Sequence, residues 1–232
     1  MPIELNVVTA QGIEPRTFHF ARMVNAGYVG RNQEEVRRHI DELAAKGIPG
    51  PKKTPTLYPV IPKTLVNDDF IEVYGEQTSG EVEYVLFIVG GKEIYVGLGS
   101  DHTDRHLEEA DIPRAKQICP NVVSRNVWPL SEVEAKWDEL LIRSWVVKGG
   151  EKVAYQEGRL GLIMNPGQLM DFVKSRIGSL DSTVIFSGTL GTLTGGFVYG
   201  ECFIAELEDA ASKRRLELQY EVRPLNYMDL DD

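Results

Sequence analysis

Glu81-Val82-Glu83 is the first place in the chain where residue type and spacing suggest chemistry. On a β-strand, residues two apart project from one face, so both carboxylates would stand side by side. The following residues of that face, Val85, Phe87 and Val89, are apolar, which predicts that the face turns inward. Two adjacent carboxylates on a buried face repel, and one must keep its proton unless a cation joins them. Oxygen-rich sites of this kind suit Mg²⁺, Mn²⁺ or Ca²⁺. An exposed strand start, with only Val82 buried, is the alternative. Asp101 follows Glu83 by 18 residues, after a second strand-like run, EIYVGLG. A strand pair that returns to its start would bring this third carboxylate beside the other two and leave positions open for a bidentate ligand. His102 and His106, with Asp104, offer a different ligand set for a softer metal, without metalloprotease or zinc-finger spacing. Capping or solvated histidines are the simpler account.

These residues need strands to position them, and the chain supplies many. IELNVV and RTFHFARMVNAGYVG read as strands, as do DDFIEVYG, EVEYVLFIV, EIYVGLG, KVAYQ, STVIFSG, GFVYGECFIAEL and RRLELQYEV, each bounded by Gly, Asp, Asn or Ser. QEEVRRHIDELAAKG carries Val36, Ile40, Leu43 and Ala44 at helical spacing, with Asn32 as N-cap, Glu34 and Glu35 in the first turn, and Gly47 as the stop. SEVEAKWDELLIRSWV and GQLMDFVKSRIGS are predicted helices, and DHTDRHLEEA a short helical turn. Scattered helices among many strands predict a mainly β architecture with α+β elements, not alternating βαβ units. IPGPKKTP is the best linker. It separates residues 1–50, N-terminal strands and a helix belonging to the same fold, from residues 51–232.

Composition narrows the function. The 232 residues are 42% hydrophobic and 26% charged, ordinary for a globular chain able to bury a core. A net charge of −10 argues against nucleic acid as the partner. No apolar run approaches the roughly 20 residues that span a bilayer, so no membrane partner is expected. MPIELNVVTAQGIEP lacks the features of a signal peptide. Cys119 and Cys202 form no metal or redox spacing, and a cytoplasmic protein is expected. GxGxxG, GxxxxGK[ST] and GxSxG are absent from the sequence.

Several stretches together resemble the fumarylacetoacetate hydrolase superfamily. SGEVEYVLFIVGG is similar to that family's glutamate-bearing strand, and VGLGSDHTDRHLE to the stretch carrying its third metal ligand, which falls on Asp101, with an arginine on Arg105. RAKQICP places Lys116 where the family has a substrate-facing lysine. VAYQEGRLGLIMNPGQLMDFV is similar to a strand, turn and helix segment, with Gln156 at the strand's end. STVIFSGTLGTLTGG resembles the strand and threonine loop, placing Thr189 on the substrate-binding threonine. The match runs in order from about residue 25 to 224.

The resemblance implies a twisted β-sheet roll and a metal-dependent hydrolase or lyase acting on a small 2-oxo or 1,3-dicarbonyl carboxylic acid through a metal-stabilised enolate. It implies Mg²⁺ or Mn²⁺ (Ca²⁺ in a crystal) on Glu81, Glu83 and Asp101, an anionic 2-oxo acid as ligand, and a homodimer. Lys116 would place positive charge at the enolate oxygen or the carboxylate. Thr189, with the N–H groups of Gly188 and Gly191, would grip the distal carboxylate. Arg105 would contact substrate or pair with Glu108 or Asp104, and Gln156 would serve substrate or structure.

Three departures stand out. The family's His–Glu pair falls on Val36 and His39, which leaves Glu35 or His39 as the base, since valine cannot carry a proton. A lysine position falls on Val60, with Lys63 nearby, and a loop proline is Leu190. Metal ligands kept beside altered acid–base residues favour a lyase nearly as much as a hydrolase. They also motivate the alternative of a non-catalytic 2-oxo acid binding protein on the same scaffold.

Overall fold

A computed structural model describes residues 1–44, 50, 51 and 53–228. Its strands are β1 (Pro2–Thr9), β2 (Gly12–His19), β3 (Arg22–Gly27), β4 (Thr56–Val60), β5 (Leu65–Val66), β6 (Phe70–Val73), β7 (Thr78–Ser79), β8 (Val82–Val89) and β9 (Glu93–Asp101). There follow β10 (Thr103–Asp104), β11 (Asn121–Val123), β12 (Asn126–Pro129), β13 (Leu141–Lys148), β14 (Glu151–Arg159), β15 (Thr183–Phe186), β16 (Cys202–Asp209) and β17 (Arg214–Pro224). The helices are α1 (Gln33–Ala44), α2 (Arg105–Ala110), α3 (Ile112–Ile118) and α4 (Pro166–Ile177). The mainly β architecture matches the sequence expectation.

One ten-stranded sheet runs β2-β1-β12-β9-β8-β15-β3-β4, with β11 pairing β9 and β5 alongside it. A five-stranded sheet, β14-β13-β16-β17-β6, packs on one face. Strand β8 explains the layering, because it is buried on both faces. Its Val82, Tyr84, Leu86 and Ile88 join Leu207, Leu216 and Tyr220 of the smaller sheet in one core. Its Val85 and Phe87 join Phe18, Val184, Phe186 and Val123 in a second core on the opposite face. Glu83 belongs to that second face by the two-residue period.

Helix ends follow their local chemistry. The Asn32 side chain accepts from the Glu34 and Glu35 N–H groups at the start of α1. Asn165 and Gln168 close a reciprocal capping box on α4. The Gly47 stop and much of the IPGPKKTP linker lie outside the described residues. Among the described residues no helix is long and apolar enough to cross a membrane.

The segment predicted as one helix over 131–146 is not one. Two 3₁₀ turns, Leu130–Glu132 and Glu134–Glu139, bury Leu130 and Trp137, and then the chain extends into β13. Val133, Trp137 and Leu140 have helical spacing and are all buried. From Leu141 onward, however, burial alternates with Ile142, Ser144 and Val146 inward. That two-residue period, backed by pairing to both β14 and β16, overrides local helix propensity. Strand β16 likewise begins only at Cys202, later than the sequence suggests, and residues 187–201 form an irregular loop apart from one isolated bridge.

Gly99 sits opposite Glu83 on β9. A Cβ there would lie 2.5 Å from Val85 Cγ2 and 2.8 Å from Phe186 Cε1, so both side chains close over the bare backbone. Gly99→Ala should therefore destabilise the fold by about 1–3 kcal/mol through overpacking. Urea unfolding checks this, and an unchanged midpoint would show that the space is not tight.

Candidate metal centre

The antiparallel pairing of β8 with β9 builds the centre. Asp101 lies two residues beyond Gly99, and its N–H donates to the Glu81 carbonyl at 3.1 Å. Glu81, Glu83 and Asp101 each offer an oxygen, and these atoms lie within 4.8 Å of one another. Glu83 and Asp101 are buried, whereas the Glu81 side chain keeps 20% of its surface. The exposed-strand alternative is excluded for Glu83.

Two cations flank the carboxylates. Lys116 of α3 places Nζ 2.5 Å from Asp101 Oδ2 and 3.7 Å from Glu81 Oε2. Arg105, the first residue of α2, reaches Glu81 Oε1 at 3.2 Å and Glu108 Oε2 at 2.6 Å. The same Lys116 Nζ lies 5.9 Å from the centre of the Tyr58 ring on β4. Strands β4 and β9 are four places apart in the sheet, a separation of about 19 Å if the sheet were flat. One ammonium reaches both because the sheet curls, and the centre lies on its concave face.

Burial would raise the Glu81 carboxyl, but Arg105 and Lys116 outweigh it and hold that group below its ordinary range. Glu83 is pushed well above it, by burial first and then by the charges of Asp101 and Glu81. Burial works against the Lys116 charge, yet Asp101 and Glu81 more than compensate and keep the ammonium protonated.

The donor set fits a divalent metal. Four carboxylates, the three plus Glu108, face two cations, which leaves two negative charges when all are ionised. All the ligand atoms are hard oxygens, which suits Mg²⁺, Mn²⁺ or Ca²⁺. Asn121, directly opposite Asp101 on β11, is fully buried with neither amide atom hydrogen-bonded. A water held by a cation at the carboxylates would give that group a partner. The three carboxylates therefore could hold a divalent cation.

The other sequence-predicted residues divide. The Gly188 N–H donates to Glu83 Oε2 at 2.7 Å, and Gly188 takes φ +82° in a niche where a Cβ would strike Val29. The Thr189 hydroxyl donates to the Val82 carbonyl at 2.6 Å and accepts from Gln156 Nε2 at 2.7 Å. Gln156 uses its other amide hydrogen on the Leu190 carbonyl, while its Oε1 accepts from Val82 N and Ser144 Oγ. These donors are engaged within the chain and clamp the Glu81-Val82-Glu83 backbone. Arg105 also donates to the Ser79 hydroxyl and lies over the Phe197 ring at 4.2 Å. Glu35 is exposed on α1 and Val36 packs towards Gly30, while the His39 side chain lies outside the described residues.

Sequence reasoning misread one residue here, His102, and passed over several others. His102 is neither solvated nor capping: Asp104 caps α2. His102 is buried between Tyr220 OH (2.8 Å) and Thr78 Oγ1 (2.9 Å), and Tyr220 OH also meets Ser100 Oγ at 2.8 Å. Burial, then the Arg105 charge, depresses its pKa to about 3, so the ring stays neutral as a peg for the end of β9. Tyr28 has left-handed backbone, φ 57°. Its phenol is raised by burial first, then by Tyr58, Glu108 and Glu81, with Lys116 opposing, which puts it within the field of the centre. Only strand register reveals Asn25 and Asn121. The available signal was a polar residue within a short apolar run.

Solved structures share this architecture. A protein named Cg1458 superposes with a TM-score of 0.66 at 14% identity, over 97% of this chain and 100% of its own. 2-Keto-3-deoxy-D-arabinonate dehydratase, complexed with magnesium and 2,5-dioxopentanoate, gives 0.60 at 16% over 94% and 78%. 4-Oxalocrotonate decarboxylase from Pseudomonas putida G7, complexed with calcium and acetate, gives 0.53 at 14% over 87% and 76%. At such identities the likeness is one of fold, and the fold is that of the fumarylacetoacetate hydrolase superfamily. The family described as "Protein of unknown function (DUF2848)" matches residues 26–220, and the chain belongs to that family. No curated protein matches the sequence.

Glu83→Gln tests the centre directly, because it keeps an acceptor for the Gly188 N–H and removes the charge. Mn²⁺ at a hundredfold over its Kd should stabilise the unaltered protein by about 2.7 kcal/mol. The variant should melt no lower than the parent without metal and lose most of the metal-induced rise. An equal rise in both proteins would place the ion elsewhere.

Proposed function

We propose that the chain is a divalent-metal-dependent enzyme, a lyase or hydrolase, acting on a small 2-oxo or 1,3-dicarbonyl carboxylic acid. The observation that carries this is the surplus negative charge of the three converging, largely buried carboxylates and Glu108 against two cations. Support comes from neighbours of the same fold, one a dehydratase holding magnesium and 2,5-dioxopentanoate and one a decarboxylase holding calcium. A divalent cation on Glu81, Glu83 and Asp101 supplies Lewis acidity to the carboxylate and keto oxygens of such an acid.

The chain's own residues supply the rest. Arg105 and the Gly188 N–H fix the outer faces of Glu81 and Glu83, so the ligand oxygens need little reorganisation. Lys116 keeps a positive charge beside Asp101, where negative charge on the substrate's keto oxygen would develop. Burial of Glu83, Asp101 and Lys116 excludes water and strengthens each of these interactions. Tyr28, which keeps 38% of its surface and lies in the field of Glu81 and Lys116, is assigned the proton that the valine at position 36 cannot carry. Glu35 and His39 on α1 are the other proton carriers in this reading. Thr189, Gly188, Gln156 and Arg105 bear on the substrate through the ligands they hold.

Calorimetry of Mn²⁺ binding with and without oxalate, which mimics the chelating end of a 2-oxo acid, tests the reading. Oxalate should tighten Mn²⁺, and Mn²⁺ should tighten oxalate by the same factor. In a screen of 2-oxo acids, Lys116→Met should retain metal binding and lose about 10²–10³ in kcat. Tyr28→Phe should lose about 10² or more, again with metal binding intact. Oxalate binding without turnover of any 2-oxo acid would favour a non-catalytic binding protein. A metal-loaded protein that ignores oxalate would sink both readings.

A further inference from the structure

Asn25 is fully buried, and neither of its amide atoms has a hydrogen-bond partner. It lies in β3, opposite Phe186 of β15 on one side and Tyr58 of β4 on the other. Phe186 in turn pairs with Val85 of β8. Paired residues share a face, and so do residues two apart along a strand. Asn25 therefore projects from the same concave face as Glu83 and Asp101. Thr56, two residues before Tyr58, projects there too, and its buried hydroxyl also has no partner. These groups occupy the flank of the face away from Asp101. Lys116, over the Tyr58 ring, connects the two flanks.

The fold does not account for this pair. Met23, Val60, Val184 and Phe186 make the surrounding face apolar, and a leucine or valine would complete it. An unpaired buried carboxamide is costly, and natural chains keep few of them. A partner from outside the chain explains why it persists. The carboxamide both donates and accepts, and so does the threonine hydroxyl. Together they match a neutral group that does both, which is a hydroxyl. A carboxylate, which only accepts, would leave Asn25 Oδ1 unmet, and an acyl chain would leave all three atoms unmet.

We propose that Asn25 and Thr56 form a neutral subsite that receives hydroxyl groups on the far end of the 2-oxo acid chelated at the carboxylates. The substrate class is then a hydroxylated 2-oxo acid, in preference to an acyl or dicarboxylic one. This inference rests on the proposed 2-oxo acid reading and adds the identity of the substrate's other end.

The test uses the Mn²⁺-loaded full chain and three probes: oxalate, 2-oxopentanoate and its 4,5-dihydroxy counterpart. Oxalate reports on chelation alone. The unaltered protein should bind the dihydroxy acid about tenfold more tightly than 2-oxopentanoate. Asn25→Leu and Thr56→Val should each erase most of that preference while oxalate affinity stays within about twofold. Asn25→Leu should also raise the melting temperature of the unliganded protein, because it removes unmet polar atoms. No preference in the unaltered protein, or one that survives both substitutions, would overturn the subsite and leave chelation standing. A lower melting temperature for Asn25→Leu would assign the amide to an internal water and overturn it as well. Failure of oxalate to bind would overturn the chelate reading and the subsite with it.

Discussion

The structure depends on keeping three carboxylates together where water cannot separate their charges. Like charges a few ångströms apart in a poorly solvated site repel strongly, and Glu83 registers this in a carboxyl held well above its ordinary range. Hydrophobic packing cannot solve that problem and does not oppose it. It supplies the rigid floor, Val85, Phe186 and Phe87, on which the carboxylates stand. The electrostatic answer comes from Lys116 and Arg105, delivered by two short helices that follow β9 almost at once. Both helices begin on an aspartate cap, Asp104 and Asp111. The distance from ligand to counter-charge is thus fixed by local sequence as well as by tertiary packing.

Much of the remaining polar chemistry serves the strand that carries the glutamates. Val82 lies between them, and its backbone is held at both ends: its N–H by Gln156 and its carbonyl by Thr189. Gln156 and Thr189 bind each other and come from different elements, β14 and the loop after β15. Residues that look like substrate contacts when aligned on a motif are here hydrogen-bonded to the residue between the two glutamates. Their effect on chemistry would pass through the geometry of Glu81 and Glu83. Such indirect support affects function strongly, because ligands displaced by a fraction of an ångström no longer converge.

The parts of this arrangement with a short period were legible in the sequence. The two-residue alternation of EVEYVLFIV put Glu81 and Glu83 on the face of Val85 and Phe87, and the return through EIYVGLG brought Asp101 beside them. The run around Trp137 was harder, because Val133, Trp137 and Leu140 are buried at helical spacing and yet belong to 3₁₀ turns leading into a strand. The competing signal, alternation from Ile142 to Val146, depends on sheet partners 60 residues away that no local window contains. Helix α3 was missed because seven residues with a proline second among them give too little periodicity to read. Neither the curl of the sheet, which brings Tyr58 towards Lys116, nor the burial of His102 between Thr78 and Tyr220 leaves any local trace.

The two faces of the large sheet follow different rules. On the face towards the smaller sheet, Tyr84 hydrogen-bonds the Met164 carbonyl and packs edge-on against Trp137, whose indole N–H is left unmet, and the rest of the face is apolar packing without carboxylates. On the concave face, apolar packing is interrupted by Asn25, Asn121 and Glu83, two unpaired amides and a carboxyl that the fold itself disfavours. A chain selected only to fold would fill those places with leucine and valine, as its neighbours on the same strands do. Buried polar atoms without partners also occur elsewhere, at Gln33, Trp137, Arg143 and Tyr155, but on the concave face they stand together with converging carboxylates. Stability given up beside converging carboxylates is the physical mark of a surface shaped for something that is not part of the chain.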